Sequence, residues 1–364
     1  MTKIDAQTIE DIALGAALLG TGGGGDPYLG KLMALQAIKE YGPVSLISPD
    51  EVPDEAVVVP TAMMGAPTVL IEKIPNGEEI IRAFNGLKSY LGKEIYATMP
   101  IEAGGVNSMI PIAVAARLGL PLVDGDGMGR AFPELQMVTF HLYGVPATPM
   151  VMADEKGNTL ILETINNFWT ESLARNATVV MGGSVMLSIY PMTGKILKEA
   201  VIKNIVSYSA KIGRVIREAR RRGENPVRAL LEATGGFELF KGKVVDVLRR
   251  TEGGFVRGEA RIEGLEEYRG EVLQVRFQNE NLVAIRGDRI VASVPDLICI
   301  VNLETAVPIT TEGLKYGHRV FVLGLPCDGK WRTPKGLETV GPRYFGYDLD
   351  YVPVEVLAQG GEKP

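Results

Sequence analysis

The chain has 364 residues and a formal net charge of −6, and 46% of its residues are hydrophobic. This length exceeds what one ordinary core holds, and the composition is that of a folded globular chain, so disorder is excluded and two domains are expected. The acidic balance argues against nucleic acid as a main partner.

The first predicted element is a helix over Thr8 to Leu19, where apolar residues recur at helical spacing. A glycine run follows, and then Asp26 and Pro27, which suit the N-cap and first position of a second helix through about Ile38. Free N–H groups before a helix N-terminus can bind an anion. We therefore expect a substrate-facing anion cradle, formed by Gly22, Gly23, Gly24 and Gly25. The alternatives are a flexible linker and a close-packing turn.

The glycine run does not match a nucleotide-binding motif. A dinucleotide fingerprint follows a strand, whereas this run follows a predicted helix, and no Gly-Lys-Ser/Thr ends it as in a P-loop. We therefore expect neither NAD nor ATP as a cofactor. The expected ligand is a small-molecule substrate.

Three apolar segments, each followed by glycine, are predicted as buried strands: Ala56 to Val59, Ile95 to Met99 and Leu120 to Val123. Strands that alternate with helices in this way indicate a mostly parallel sheet with helices on its faces. Ligands of such proteins usually bind where the strands end. The segments expected at that edge are Met64-Gly65-Ala66-Pro67, Glu102 to Gly105 and Asp124 to Arg130.

The densest group of reactive side chains follows the third of these strands, in the sequence VDGDGMGRAFPE at residues 123–134. One desolvated carboxylate could activate water and a second, protonated, could act as acid. The catalytic candidates are Glu102, Asp124 and Asp126. Arg130 could clamp a substrate carboxylate, or it could form a buried ion pair with Glu134, which is also a candidate for substrate binding. For the aspartates, the alternative is a turn whose side chains cap their own backbone.

A divalent metal remains a second hypothesis for this segment. Oxygen-rich sites hold Mg²⁺ or Mn²⁺, and the candidate ligands are Glu102, Asp124, Asp126 and His141. His141 lies in a predicted strand from Met137 to Tyr143. Because no ligand pair has the fixed helical spacing of a known metal motif, the sequence does not decide whether a metal binds.

The remaining elements divide into a helical part and a strand-rich part. A strand is predicted over Thr159 to Thr164, and helices over Asn166 to Val180 and Lys195 to Arg222. From Phe237 onward, short strands separated by glycine, asparagine and aspartate turns predict a small antiparallel barrel. Its main strands are Phe240 to Val247, Phe255 to Ile262, Glu271 to Gln278, Leu282 to Arg286 and Leu297 to Val301.

The predicted fold class is therefore α/β, with an N-terminal three-layer α/β/α domain and a smaller C-terminal barrel-like domain. We place the α/β domain and its site at residues 1–170, a helical connection at 171–236 and the β-rich domain at 237–355. The amphipathic stretch from Lys195 to Arg222 makes a homo-oligomer plausible.

The cellular compartment is predicted from sequence features that the printed chain does not show. Two cysteines, Cys299 and Cys327, cannot make a disulfide framework and have no zinc-like spacing. No apolar run approaches the length of a membrane span, and the N-terminus has no secretory signal pattern. We therefore expect a cytoplasmic protein that does not contact a membrane.

Three motifs resemble the S-methyl thiohydantoin desulfurase family over nearly the whole chain. They are GTGGGGDPY at residues 20–28, IEAGG at 101–105 and DGDGMGRAFPE at 124–134; WRTP at 331–334 and FGYD at 345–348 also look familial. The resemblance implies an α/β/α layer followed by a β-barrel. It also implies a hydrolase that replaces a sulfur substituent with water at the carbon between two ring nitrogens.

On this interpretation, Glu102 or Asp126 would be the base, the glycine run would hold the developing negative charge and Arg130 would clamp the substrate. The alternative hypothesis is a non-catalytic ligand-binding or partner subunit of a hydantoinase- or oxoprolinase-type complex. Members of one fold can differ in reaction, so the fold is inferred with more force than the chemistry.

Overall fold

The structure is a computed structural model that describes residues 2–65, 69 and 77–359. Within these residues the helices are α1 (Ala6–Leu19), α2 (Pro27–Tyr41), α3 (Glu78–Leu91), α4 (Ile110–Leu118), α5 (Thr139–Leu142), α6 (Asn167–Val180), α7 (Gly194–Ala200), α8 (Ile205–Arg222), α9 (Pro226–Thr234), α10 (Pro334–Val340) and α11 (Val354–Ala358). None of the described helices is both long and apolar enough to cross a lipid bilayer.

The strands fall into an N-terminal and a C-terminal set. The first set is β1 (Thr2–Ile4), β2 (Val44–Ile47), β3 (Val57–Gly65), β4 (Ile95–Pro100), β5 (Leu122–Val123), β6 (Gly125–Asp126), β7 (Met150–Ala153), β8 (Thr159–Leu162), β9 (Ser184–Ser188), β10 (Met192–Thr193) and β11 (Ile202–Lys203). The second set is β12 (Phe237–Glu252), β13 (Phe255–Gly264), β14 (Val272–Gln278), β15 (Glu280–Arg286), β16 (Arg289–Ser293), β17 (Leu297–Asn302) and β18 (Arg319–Leu325).

Side-chain caps fix where the first helices begin. The Asp5 carboxylate accepts a hydrogen bond from the Thr8 N–H at 2.8 Å, and α1 starts there. The Asp26 carboxylate accepts from the Tyr28 N–H at 2.7 Å, with Pro27 at the first helical position. Both caps satisfy N–H groups that a helix end leaves free. The predicted role of Asp26 and Pro27 is confirmed.

The N-terminal sheet has the strand order β1-β2-β5-β4-β3-β9-β7-β8, and β10 pairs with β3 outside this path. Only the pairs β2–β5, β5–β4 and β4–β3 are parallel; every other described pair is antiparallel. The prediction of a mostly parallel sheet is therefore wrong, and the sheet is mixed. The short turn between β7 and β8 cannot join parallel strands, which need a long crossover.

Helices cover both faces of this sheet, and β3 is accordingly buried from Val58 to Met64. Val59 and Met63 pack in one core with Ile80 and Phe84 of α3. Ala62, which alternates with them along the strand, lies in the larger core on the opposite face. The strand ends at Gly65, so two residues of the predicted turn lie within β3, and the other two, 66 and 67, lie outside the described residues.

Helices α1 and α8 pack so closely that each needs a glycine at the crossing. A Cβ on Gly15 would lie 1.9 Å from the Ser209 carbonyl oxygen, and one on Gly213 would lie 1.9 Å from that of Asp11. Arg217 of α8 closes the crossing with a hydrogen bond from Nε to Asp11 Oδ1 at 2.7 Å. This contact anchors the long helix to the start of the chain.

Two predicted elements differ from the observed ones. The residues from Met137 to Tyr143 form no strand; they include the short helix α5, and their buried residues do not alternate as in a half-exposed strand. The stretch from Lys195 to Arg222 is two helices, α7 and α8, because β11 lies between them and pairs with β6. Residues 171–236 also supply β9, which pairs with β3 and β7.

The C-terminal sheet is antiparallel and curled, with the strand order β16-β15-β14-β13-β12-β18-β17. Its first and last strands do not pair among the described residues, so the predicted barrel-like domain is a half-barrel and is not closed. The edge strand β17 instead packs against the N-terminal part, where Cys299 Sγ donates to the Leu18 carbonyl at 3.2 Å. Packing against α1 protects an edge that closure would otherwise remove.

Candidate functional site

A hollow that opens to solvent lies between the two sheets. Its volume, including the open part, is about 640 Å³. Its walls come from the glycine run, the end of β3, the segments after β4 and β6, and two loops of the C-terminal sheet. The residues that carry its chemistry are Gly23, Gly24, Gly25, Glu102, Asn107, Glu134, Arg175, Glu280 and Glu312. The structure therefore brings together segments that are far apart in the sequence.

Glu102 follows β4 at the sheet edge and is held from two sides. Asn107 Nδ2 donates to Glu102 Oε1 at 2.6 Å, and the Phe132 N–H donates to Oε2 at 3.4 Å. Asn107 is fixed in turn, because its Oδ1 accepts the Met63 N–H of β3 at 2.8 Å. The carboxyl group is thus positioned by the sheet itself rather than by a free loop.

Burial controls the charge of Glu102. Only 5% of this residue is exposed. Desolvation raises the pKa of its carboxyl to about 7, and the hydrogen bonds from Asn107 and Phe132 and the Arg130 charge only partly oppose it. Near neutral pH the group therefore exists in both the acid and the carboxylate form, which suits a group that must accept and release a proton.

The glycine run bends against the segment after β4. The Val106 N–H donates to the Gly24 carbonyl at 2.8 Å, and a Cβ on Gly24 would lie 2.4 Å from Gly104 Cα. The run is therefore a close-packed turn as well as a wall of the hollow. In the described part of the chain, no acceptor receives the N–H groups of Gly24 and Gly25, so they remain available to a ligand. Gly22 does not line the hollow and packs against Thr311 and Asn281.

Two further carboxyl groups line the hollow from the C-terminal part of the chain. Neither of them is indicated by the sequence pattern. Glu280 is 3% exposed and begins β15, and Glu312 lies in the loop before β18. Burial raises the pKa of both groups. The sequence Asn279-Glu280-Asn281 is typical of a turn between strands, and nothing local in it distinguishes a buried glutamate from a solvated one.

Asp124 is placed elsewhere and has a structural partner. Its Oδ1 accepts the N–H groups of Val206 and Ser207, each at 3.0 Å, at the start of α8. Asn204, at the N-cap position itself, makes no side-chain cap. Asp124 therefore caps a helix distant in sequence and does not line the hollow.

Asp126 is fully buried but is also outside the residues that line the hollow. Its Oδ1 accepts the N–H groups of Met128 at 3.2 Å and Gly129 at 2.8 Å, as in the alternative of a turn that caps its own backbone. Its Oδ2 has no partner among the described residues. Burial raises the pKa of this carboxyl well above its ordinary value.

Arg130 is fully buried and all of its donors bind protein acceptors. Nε donates to the Ala131 carbonyl, Nη1 to those of Pro295 and Asp296, and Nη2 to Thr21 Oγ1 and the Asn281 carbonyl. No donor is left to clamp a substrate, and neither does the residue pair with Glu134. Arg130 instead joins the first helix region to the C-terminal sheet.

Glu134 lines the hollow and bonds to two other side chains. It accepts from Tyr344 Oη at 2.7 Å and from Gln136 Nε2. Across the same wall, Arg175 Nη2 donates to the Pro133 carbonyl at 2.8 Å and its guanidinium lies 4.3 Å from the Phe255 ring. Arg175 is a cation at the hollow that the sequence did not single out.

The four candidate metal ligands are not gathered around one point. Asp124 caps α8, and His141 Nδ1 lies 3.1 Å from Asn167 Nδ2, with its ring against Phe168. Across the described ranges, no group of three histidine, cysteine, aspartate or glutamate side chains is arranged to hold a metal ion. The candidate chemistry of the hollow therefore rests on its glutamates.

Comparison with family profiles now adds to this geometry. Residues 7–164 match the S-Me-THD-like N-terminal domain, and residues 165–354 match the S-Me-THD-like C-terminal domain. The chain belongs to the S-Me-THD-like family. The family resemblance expected from the sequence motifs is confirmed, and all three of those motifs, at residues 20–28, 101–105 and 124–134, supply walls of the hollow.

A solved structure shares the S-Me-THD-like fold of this chain. An X-ray structure of a protein from Chromobacterium violaceum superposes with a TM-score of 0.81 at 23% sequence identity. The match covers 97% of this chain and 100% of the other. At this identity the likeness shows the fold alone. Comparison with curated protein sequences gives no match.

Proposed function

We propose that this protein is a hydrolase that replaces the sulfur substituent of an S-methyl thiohydantoin-like ring with water. The observation that carries the proposal is a buried glutamate, Glu102, fixed by Asn107 at a hollow in an S-Me-THD-like chain. Gly24 and Gly25, whose N–H groups have no acceptor among the described residues, line the same hollow. Membership in the family supports a role related to thiohydantoin desulfurisation, and the hollow supplies groups suited to it.

In the proposed reaction, Glu102 removes a proton from a water molecule as the water oxygen attacks the ring carbon between the two nitrogens. A C–O bond forms, and the electron pair of the C=N bond moves to the ring nitrogen. The N–H groups of the glycine run would stabilise the negative charge that develops there. The C–S bond then breaks with its electron pair on sulfur, the hydroxyl proton of the intermediate passes to the ring nitrogen, and the carbonyl forms. The proton taken by Glu102 balances the one that the thiol gains, so one water has been consumed for each thiol released.

The direct test follows thiol release from an S-methyl thiohydantoin with a thiol-reactive chromophore. We expect turnover by the native protein, with oxygen from labelled water appearing in the hydantoin carbonyl. Glu102→Gln should lower kcat by ~10²- to 10⁴-fold, the range typical of a lost general base. The matched control is Glu79→Gln, since Glu79 is 4% exposed and lies outside the hollow; its rate should stay within a few-fold of native.

The alternative of a non-catalytic ligand-binding or partner subunit makes an opposite prediction. The protein would bind the ring compound in a calorimetric titration and release no thiol, and Glu102→Gln would change affinity alone. That pattern would reject the proposed hydrolase. Adding a chelator to the same assay tests the metal hypothesis, because a glutamate-based reaction should be unaffected.

A further inference from the structure

The Glu280 side chain lies directly on the glycine run. A Cβ on Gly23 would lie 1.9 Å from Glu280 Oε1 and 2.7 Å from its Cγ, so the side chain occupies the space that the glycine leaves. The carboxyl group thus sits where the N-terminal loop and β15 of the C-terminal sheet meet. It lines the hollow together with Glu102 of the other sheet.

One oxygen of Glu280 is in an unusual state for a buried acid. Glu280 is 3% exposed, and its Oε2 has no hydrogen-bond partner among the described residues. A buried ionised oxygen without a partner is costly, whereas a neutral carboxyl with a free O–H can donate to a ligand. Burial, with Glu102 and Glu312 nearby, raises the pKa of Glu280 well above its ordinary value, although Arg130 opposes this. The surroundings of Glu280 therefore favour its protonated form.

We infer that Glu280 is the acid of the reaction and donates its proton to the departing sulfur, an assignment that rests on the proposed function. The O–H bond of Glu280 breaks and an S–H bond forms as the C–S electron pair moves to sulfur. The leaving group departs as a neutral thiol. Glu102, which has gained a proton from water, returns one to Glu280, so both groups recover their starting states.

This arrangement divides the chemistry between the two sheets. Glu102 belongs to the segment after β4, and Glu280 begins β15, so neither half of the chain holds both groups. Two carboxyl groups whose surroundings give them different protonation are the usual basis for a separate base and acid. The hollow therefore requires the interface between the sheets for its acid as well as for its shape.

The test varies the leaving group. Two substrates with the same ring are compared, one carrying a methylthio group and the other a nitrophenylthio group. A nitrophenyl thiol is a much stronger acid, so it departs without protonation. Glu280→Gln should slow the methylthio substrate by ~10²-fold or more, the size of a lost general acid, and the nitrophenylthio substrate by less than ~10-fold.

Control variants distinguish the proposed role of Glu280 from that of Glu102. Glu102→Gln should slow both substrates to the same extent, because activating the water is needed for each. Glu79→Gln should slow neither. Equal slowing of both substrates by Glu280→Gln, or no slowing of either, would overturn the inference even though native thiol release continued. Absence of thiol release from native protein would instead reject the proposed function.

A second measurement does not depend on the variant folding. For native protein, kcat with the methylthio substrate should fall at alkaline pH as Glu280 loses its proton, whereas kcat with the nitrophenylthio substrate should not fall. A group with a purely structural role would give the same alkaline dependence for both substrates. Parallel profiles would therefore contradict the assignment.

Discussion

At the scale of single residues, burial gives Glu102 its proposed chemistry and also makes its ionised form unfavourable for folding. Its pKa is about 7 in the folded protein, against an ordinary value of 4.5. The folded state therefore binds this proton more tightly than the unfolded state does. The stabilising contribution is fully present below pH 4.5, and it is lost as the pH rises through about 7.

This pH dependence gives a stability prediction for Glu102→Gln, because the glutamine side chain cannot ionise. At pH about 8.5 the variant should be more stable than native protein, by up to about 3 kcal/mol for the full change in pKa. At pH about 4.5 the two should unfold alike. Denaturant titrations at both pH values measure the difference, with Glu79→Gln as control. A variant that is less stable than native protein by the same amount at both pH values would contradict the prediction.

The same substitution is expected to abolish most activity, so it would increase stability at the expense of function, as is common at active sites.

Asp126 shows that burial alone does not define a role. It is also buried with a raised pKa, yet its Oδ1 caps a local turn and it lies outside the hollow. Position relative to the hollow, rather than acidity, separates the two carboxyl groups.

At the scale of elements, neighbouring glycines of the glycine run have different roles. One allows close packing of the backbone, and the other leaves space for a side chain. Gly24 has φ +75° and lies against the Gly104 backbone, so any side chain there meets atoms that cannot move away. Gly23 does not require a positive φ, and what its Cβ would meet is the Glu280 side chain. Substitutions at neighbouring positions should therefore have different effects.

We expect Gly24→Ala to destabilise the protein by more than about 2 kcal/mol, from backbone strain and the clash with Gly104. Gly23→Ala should keep the fold, with a small change in melting temperature, and lose most thiol release because it displaces the Glu280 carboxyl. Thermal unfolding and the thiol assay distinguish the two variants. Full activity in folded Gly23→Ala would show that the position of Glu280 does not matter.

A second element, α8, illustrates how a distant side chain begins a helix. The chain from Lys195 would continue as one amphipathic helix on sequence pattern alone. Pairing of β11 with β6 interrupts it, and Asp124 accepts the free N–H groups where the helix resumes. The aspartate predicted as catalytic is thus explained by capping, which contributes about 1 kcal/mol at a typical N-terminus.

At the scale of the whole molecule, Arg130 connects the region after the first helix to the C-terminal part of the chain. Its guanidinium donates to Thr21 beside the glycine run and to carbonyls of Asn281, Pro295 and Asp296 in the C-terminal part. Burial lowers its pKa to about 10, so it remains charged at neutral pH. The hollow lies at the same interface, and its shape depends on this link.

Arg130→Met should destabilise the protein by more than about 3 kcal/mol, because the acceptors it leaves behind are buried and unpaired. A substrate clamp would instead change KM with little effect on stability. The matched control is Arg228→Met, since Arg228 pairs with Glu232 on an exposed helix surface and its loss should be within about 0.5 kcal/mol. Urea unfolding compares them; equal stability of the two variants would contradict the bridging role.

Much of the fold could be predicted from the sequence, because its signals are local. The cap at Asp26, the apolar strands β3 and β4 and the change to short strands after Phe237 each depend on a few neighbouring residues. The motifs also identified the family. The direction of β9 and the open edge of the half-barrel could not be predicted, since they depend on packing between segments far apart in the chain.

The site, like the fold, could be predicted from the sequence only in part. By itself the sequence determined that glycine-rich loops and carboxyl groups follow the strands, and Glu102 and the glycine run are where that pattern placed them. Only the tertiary structure decided that Asp124 caps a helix, that Arg130 donates to four backbone carbonyls and the Thr21 hydroxyl, and that Glu280 lines the hollow from the C-terminal sheet. The physical reason is that burial, hydrogen-bond partners and pKa depend on atoms contributed by distant segments, which no local pattern records.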